Sequence, residues 1–418
     1  LPLGGNFQQT LIPPGREPTP LRRIDLTRAQ AARANTIRDI NRQIVLNYVR
    51  EKEPISRADI ARESALQRST VSTIVDALLA DGLIEEVGAG ESTGGRRPTL
   101  LRIRTSGVMA IGVDITPSQT IVATSNLAGR VLEAEKFLTD PDFDKTIARV
   151  VDCVQTMARK YSGLIEAVGV SLPGLVDTAM SRVIYVPYFK WRDIEIAEII
   201  SKATGLNVTV ENDANAAALA ELWFGRPEVS QVRDFIMVLV AEGIGTGVAF
   251  DGQIYKGQHS AAGEFGHMII GQEAPTACSC GNYDCWEAFS SERAALARYR
   301  KMASNHQDGN SCDFAELIER AISGERAARD ALIETAHHLG IGISNMIVGL
   351  SPEAVIVGGR ITRAWSLVAE AISETVERSI RRGLPSARIM ASTLGDPPTL
   401  MGALSLVLAN KFASASAT

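Results

Sequence analysis

The chain has no run of about 18 or more apolar residues, the minimum that a membrane-crossing helix needs. Near its start it carries Pro14, Arg16 and Pro18 where a secretory signal would need an apolar core, so the expectation is a cytoplasmic protein. Cysteine is scarce, five in 418 residues, which argues against a disulfide framework. Cys153 and Cys312 stand alone, whereas Cys278, Cys280 and Cys285 crowd into eight positions and suit metal binding in a reducing compartment. What the chain does have is 45% hydrophobic residues, enough to build sizeable cores over two or three domains. Its net charge of −5 is unevenly spread: 16 basic against 12 acidic residues up to Arg104 give +4, leaving −9 for the remainder.

Residues 1–33 are rich in Pro, Gly, Gln and Arg, show no apolar periodicity, and read as a flexible tail without an assigned role. Residues 34–104 read as helices followed by two short strands, and from 105 to 418 strands alternate with helices, beginning with the apolar run 108–115. The later region repeats itself: VMAIGVDITPSQTIVATSNL and FIMVLVAEGIGTGVAFDGQIY each read as strand, turn and strand. Helical stretches at 144–160 and 327–348 and strands at 167–171 and 354–357 follow these openings, so the pattern predicts an α/β domain of two similar lobes.

In the N-terminal module, Ile37, Ile40, Ile44, Val45 and Tyr48 recur near helical spacing within 35–50. Ser56 and Asp59 have capping-box spacing, which starts a short helix near Arg57. After a turn at 65–67, Val71, Ile74, Val75, Leu78 and Leu79 form one apolar stripe, and Gly82 can end that helix in a left-handed conformation. The opposite face gathers Gln67, Arg68, Ser69, Thr70, Ser72 and Thr73, short or forked hydrogen-bonding groups at the end where a recognition helix meets DNA. Strand-like runs at 83–87 and 99–103, joined by GAGESTGGRRP, form a wing whose Arg96 and Arg97 suit phosphates or a minor groove. The fold expected of 34–104 is a winged helix-turn-helix, with an operator DNA as partner.

His267, Cys278, Cys280 and Cys285 supply three thiolates and one imidazole, a closed shell typical of structural zinc. Gly281 permits a tight turn between ligands. Glu211-Asn212-Asp213-Ala214-Asn215 follows the β-rich run 207–210 and opens an apolar helix, which places polar side chains where clefts form. Asn212, Asp213, Glu264, His267 and Glu287 could together face the vicinal hydroxyls of a sugar. Asp213 also suits a helix N-cap. Tyr185, Tyr188, Phe189 and Trp191 could stack on a sugar, although packing between lobes is the more frequent fate of such side chains.

SRADIA, STVSTIVDALLADGLI and GGRRPTLL resemble the DNA-binding module of the repressor branch of the ROK family (repressors, open reading frames and kinases), of the NagC/XylR type, with Ala65 where these turns commonly have glycine. AAGEFGH and CSCGNYDCWE resemble the family's zinc signature, with Asp284 in place of a usual glycine, and SLPGLVD resembles its PGxVD segment. The resemblance covers nearly everything from Asn35 onward and implies a sugar-kinase-like domain of the actin-like ATPase fold. It places the first lobe at about 105–222 plus a C-terminal helix at about 402–418, and the second lobe at about 223–401.

By that resemblance Asp213 matches the general base of the family's kinases. Gly245 and Thr246 within GIGTG, and Gly358-Gly359, match turns on the nucleotide side, although close strand packing explains such glycines equally well. Against phosphoryl transfer, the kinases' D-x-G-G-T-K loop reads here Asp114-Ile115-Thr116-Pro117-Ser118-Gln119, without either glycine or the lysine. The function implied is a repressor of carbohydrate genes that acts as a homodimer or homotetramer and is controlled by a hexose or an N-acetylhexosamine. The alternative is an ATP-dependent sugar kinase, and a phosphotransfer protein as inducer stays open.

Overall fold

A recognition helix and its scaffold form first along the chain because apolar spacing, caps and a wing agree there. The computed structural model describes residues 34–90, 97–230, 232–303, 312–380 and 386–412. Helix Ala34–Lys52, strand Ile55–Ser56, helices Arg57–Ser64 and Arg68–Ala80, and strands Ile84–Ala89 and Thr99–Ile103 make up the N-terminal module. Val71, Ile74, Val75 and Leu78 are buried as the spacing requires, and Leu79 is partly buried beside them. The side chains of Ile37 and Ile40 lie outside the described residues. Ser56 caps its helix by accepting from the Asp59 N–H at 3.2 Å.

At the turn between the two helices, Ala65 takes the left-handed conformation with φ 58°, so the geometry that usually selects glycine is kept with a Cβ present. Gly82, at φ 67°, closes the recognition helix: its N–H bonds to Leu79 O and that of Leu83 to Leu78 O, the paired bonds of a Schellman end. The strand Ile55–Ser56 adds a third member to the wing sheet by pairing with Thr99–Ile103, which two residues could not announce through periodicity.

The α/β region holds two five-stranded sheets. In space the first runs Val208–Asn212, Ile165–Leu172, Met109–Ile115, Gln119–Asn126, Val131–Leu138. The second runs Arg388–Ala391, Ala354–Gly358, Phe235–Val240, Ile244–Phe250, Gln253–Ile254. In each, the first strand in sequence pairs antiparallel with the next and parallel with a later one, so the repeated sequence pattern corresponds to a repeated topology. A small antiparallel sheet, Leu175–Asp177, Arg182–Val186 and Trp191–Ile194, was not apparent from the sequence.

Helix Pro398–Phe412 returns to the first sheet, starting a few residues ahead of the expected 402, with proline at its first position. It packs so closely that a Cβ at Gly112 would sit 2.8 Å from Leu404. One hydrophobic cluster joins Val45, Leu46 and Val49 of the N-terminal module to Leu400, Leu404 and Leu408 of this helix, so the two modules share a core. At its edge the Arg50 guanidinium lies 4.9 Å from the ring of Trp223.

A Cβ at Gly169 would fall on the backbone carbonyl of Ala403, and backbone cannot step aside as a side chain can. Gly169→Ala is expected to destabilise the chain by about 2 kcal/mol or more, read as a fall in Tm and in the urea midpoint.

Candidate functional site

His267, Cys278, Cys280 and Cys285 converge, their ligand atoms all within 4.8 Å of one another. Cys278 Sγ lies 3.2 Å from Cys280 Sγ and 3.4 Å from His267 Nδ1, and Cys280 Sγ lies 3.8 Å from Cys285 Sγ. A tetrahedral ion with metal–sulfur bonds of about 2.3 Å spaces its thiolates roughly 3.8 Å apart. The donor set and its spacing therefore fit one metal ion bound through Nδ1 of His267. Gly281 adopts φ 88° between the ligands. Asp284, which stands at the usual glycine, takes φ 60° and accepts from the Ala274 N–H at 2.8 Å, so the turn survives with a side-chain bond of its own.

The other face of His267 turns toward the cleft between the lobes, where Nε2 lies 3.5 Å from Glu264 Oε2. Glu287, nearly fully buried, accepts from both the N–H and the hydroxyl of Ser279, at 2.9 and 2.8 Å, and lies 3.0 Å from Cys278 Sγ. The metal loop thus fixes the carboxylate. Asn212, Asp213, Glu264, His267 and Glu287 all line this one cleft, and the expected sugar-facing set is brought together.

Capping of helix Asp213–Phe224 falls to Asn212, not to Asp213. The Asn212 Oδ1 accepts from the N–H groups of Ala214 and Asn215, and its Nδ2 donates to Gly174 O at 3.0 Å, tying the PGLVD loop to the helix start. Asp213 is instead the first helical residue; burial, with Glu264 and Glu242 nearby, pushes its carboxyl up to about 6. Beneath it Asp114 is buried and pushed up to about 7, chiefly by that burial, while accepting from the Thr399 hydroxyl at 2.8 Å.

The segment 114–119 closes on itself. Thr116 N–H and Thr116 Oγ1 both donate to Gln119 O, at 2.9 and 2.8 Å, and Gln119 N–H donates back to Thr116 Oγ1 at 3.1 Å. With Pro117 lacking an N–H, little of the backbone remains to face a phosphate. Gly245 and Thr246 line the cleft, yet a Cβ at Gly245 would lie 2.9 Å from the Cβ of Ala214, and Thr246 donates to Gly263 O. A Cβ at Gly358 would likewise fall on Met237 Cε, and one at Gly359 would fall on Val240 O.

Of the aromatics, Trp191 stacks on Phe189 with centroids 4.4 Å apart and donates to Pro141 O, whereas Tyr188 lines the cleft. Sequence reasoning missed Lys256, which bonds buried Glu211 at 2.7 Å and Thr178 at 3.1 Å, and the cleft-lining pair Glu292 and Arg360. These partners stand 45 and 68 positions apart, and no local motif marks them.

On the N-terminal module, Gln67, Arg68, Ser69 and Thr73 are exposed, Thr70 and Ser72 are half-buried, and Arg97 is exposed on the wing. Arg96 lies outside the described residues. Gln67 makes no side-chain cap bond, so the helix end presents N–H groups and the Arg68 cation outward. The acidic neighbours Asp59, Asp76 and Glu85 are each held by an arginine, Arg62, Arg57 and Arg102.

The sequence profile of the ROK family matches residues 110–410, and that of winged helix-turn-helix DNA-binding domains matches 38–85. The xylose repressor of Caldicellulosiruptor bescii is 30% identical over 389 residues, covering 90% of this chain and 96% of that protein. A ROK family transcriptional regulator of known structure, a homolog of the E. coli MLC protein, superposes with TM-score 0.75 at 26% identity, covering 90% of this chain and 97% of its own. A ROK family glucokinase from Streptomyces griseus, solved with glucose and AMPPNP, superposes with TM-score 0.65 at 28% identity, covering 72% of this chain and 99% of its own. The chain therefore belongs to the ROK family and carries a winged helix-turn-helix ahead of the family's two-lobed domain.

Proposed function

We propose that this protein is a sugar-responsive transcriptional repressor. Operator DNA is bound through Gln67, Arg68, Ser69, Thr70, Ser72 and Thr73, with Arg97 and Arg96 of the wing on phosphates or in a minor groove. Two copies of the chain present two such modules to the two halves of an operator. The observation that carries the reading is an outward-facing recognition helix built into the same core as a sugar-type cleft whose first phosphate loop is closed. The name xylose repressor, given to a relative that covers most of the chain, supports it.

A physical route joins the two sites. Helix Asp213–Phe224 starts in the cleft at Asp213 and ends at Trp223 and Phe224, which pack on the cluster shared with the N-terminal module, Trp223 lying 4.9 Å from the Arg50 guanidinium. Sugar binding draws the lobes together around Asp213 and shifts this helix, and Arg50 above Trp223 passes the shift to the DNA-reading helices. Sugar must favour one arrangement over the other, because equal affinity would shift nothing.

Zinc is the ion proposed for His267, Cys278, Cys280 and Cys285, since three thiolates and an imidazole in a closed tetrahedron favour it. Bound there, it supplies a structural cross-link that holds His267 and Glu287 in the cleft. Phosphoryl transfer is the second reading, favoured by Asp213, whose raised carboxyl could accept a hydroxyl proton, and opposed by the self-bonded 116–119 turn.

Fluorescence anisotropy on the DNA upstream of the gene, at fixed salt, is expected to show specific binding that glucose, N-acetylglucosamine or xylose releases. DNA binding indifferent to all sugars would point to a protein inducer, and sugar-dependent ADP release from ATP that is lost in Asp213→Asn would establish the kinase. Arg68→Ala or Arg97→Ala should each reduce the salt slope by about 1. Arg50→Met, which keeps the apolar stem, is expected to leave sugar binding intact while cutting sugar-induced release about fivefold. Elemental analysis should find one zinc per chain, and Cys285→Ser should lose the metal and sugar binding together.

A further inference from the structure

The cleft is crowded with carboxylates. Asp213, Glu242, Glu264, Glu287, Glu292 and Asp396 line it. Among the described residues that line it, the basic side chains are Lys136, His267 and Arg360, and beside it Arg293 donates to Glu242 O at 2.7 Å and lies 3.5 Å from Glu287. Arg360 is spent on Glu292 through two contacts, one of them 3.0 Å. His267 directs Nδ1 to the thiolates and Nε2 to Glu264. Lys136 is exposed, on the strand Val131–Leu138 at the edge of its sheet.

Two stretches of backbone that could receive a phosphate are already occupied. A helix start and a loop after a β-strand are the two places where main-chain N–H groups usually receive a phosphate. Here the helix start is plugged, because Asn212 Oδ1 takes the N–H groups of Ala214 and Asn215, and Asp213 Oδ1 takes that of Ala214 as well. The loop is plugged too, since Thr116 and Gln119 satisfy one another and Pro117 has no N–H. Burial, with neighbouring carboxylates, also pushes Asp213 up to about 6 and Glu292 up to about 7.

We propose that the effector pocket selects an uncharged, unphosphorylated sugar and rejects the phosphate ester of that same sugar. The inference rests on the sugar-responsive reading above and narrows it. Carboxylates accept hydroxyl hydrogens from a neutral sugar, whereas a phosphate monoester brings roughly 1.5 to 2 negative charges into a lining in which carboxylates outnumber cations.

The test is calorimetric titration of the full-length, metal-loaded protein with glucose, N-acetylglucosamine and xylose, and with glucose 6-phosphate, N-acetylglucosamine 6-phosphate and xylose 5-phosphate. The expected result is binding of at least one free sugar, with its ester weaker by about tenfold or more at low salt and the gap narrowing as salt screens the field. In Glu242→Gln the ester should gain more affinity than the free sugar. An ester that binds as tightly as its free sugar, or more tightly, overturns the inference and leaves sugar control standing. Operator binding with no response to any of the six compounds overturns both.

Discussion

Close contact around one alanine-rich helix holds the domain together. Helix Asp213–Phe224 buries Ala214, Ala216, Ala217, Ala218 and Ala220 along with Asn215 and Glu221, so it has to be enclosed around most of its circumference. Glycines allow that enclosure. A Cβ at Gly247 would lie 2.5 Å from Ala214 O, and one at Gly402 would lie 2.6 Å from the carbonyl carbon of Ala216. The second sheet meets the helix through the first contact and the C-terminal helix through the other, so any movement of the cleft has to work through this packing.

The chemistry at the start of that helix follows from its burial. The N–H groups of its first turn cannot reach water freely, so Asn212 and Asp213 satisfy them, and the same bonds remove a phosphate cradle. Capping and the proposed ligand selectivity therefore rest on the same side chains. At the far side of the cleft, Ser279 and Cys278 both hold Glu287, so the loop of clustered cysteines sets the position of a cleft-lining acceptor.

Much of this was legible in the sequence where the signal was local. The stripe from Val71 to Leu78, the Ser56 cap, the Gly82 helix end and the three clustered cysteines each carry their meaning within a few positions. What escaped was non-local or ambiguous. The Lys256 to Glu211 and Arg360 to Glu292 pairs join distant segments, and the strand Ile55–Ser56 is too short for a period. Asn212 and Asp213 are adjacent and equally suited to cap, and only the backbone angle at Asn212, extended at ψ 143°, decides between them. Gly245 and Gly359 fitted either a nucleotide turn or tight packing, and the structure has both features at once, close neighbours around the absent Cβ atoms and a place in the cleft lining.

The helix Pro398–Phe412 packs on the first sheet and supplies part of the core beneath the DNA-reading module. A chain still emerging from the ribosome has already made its recognition helix, yet that module rests on an unfinished apolar surface until these late residues are synthesised. Products that stop before these residues keep that apolar surface uncovered, the condition that favours aggregation and proteolysis.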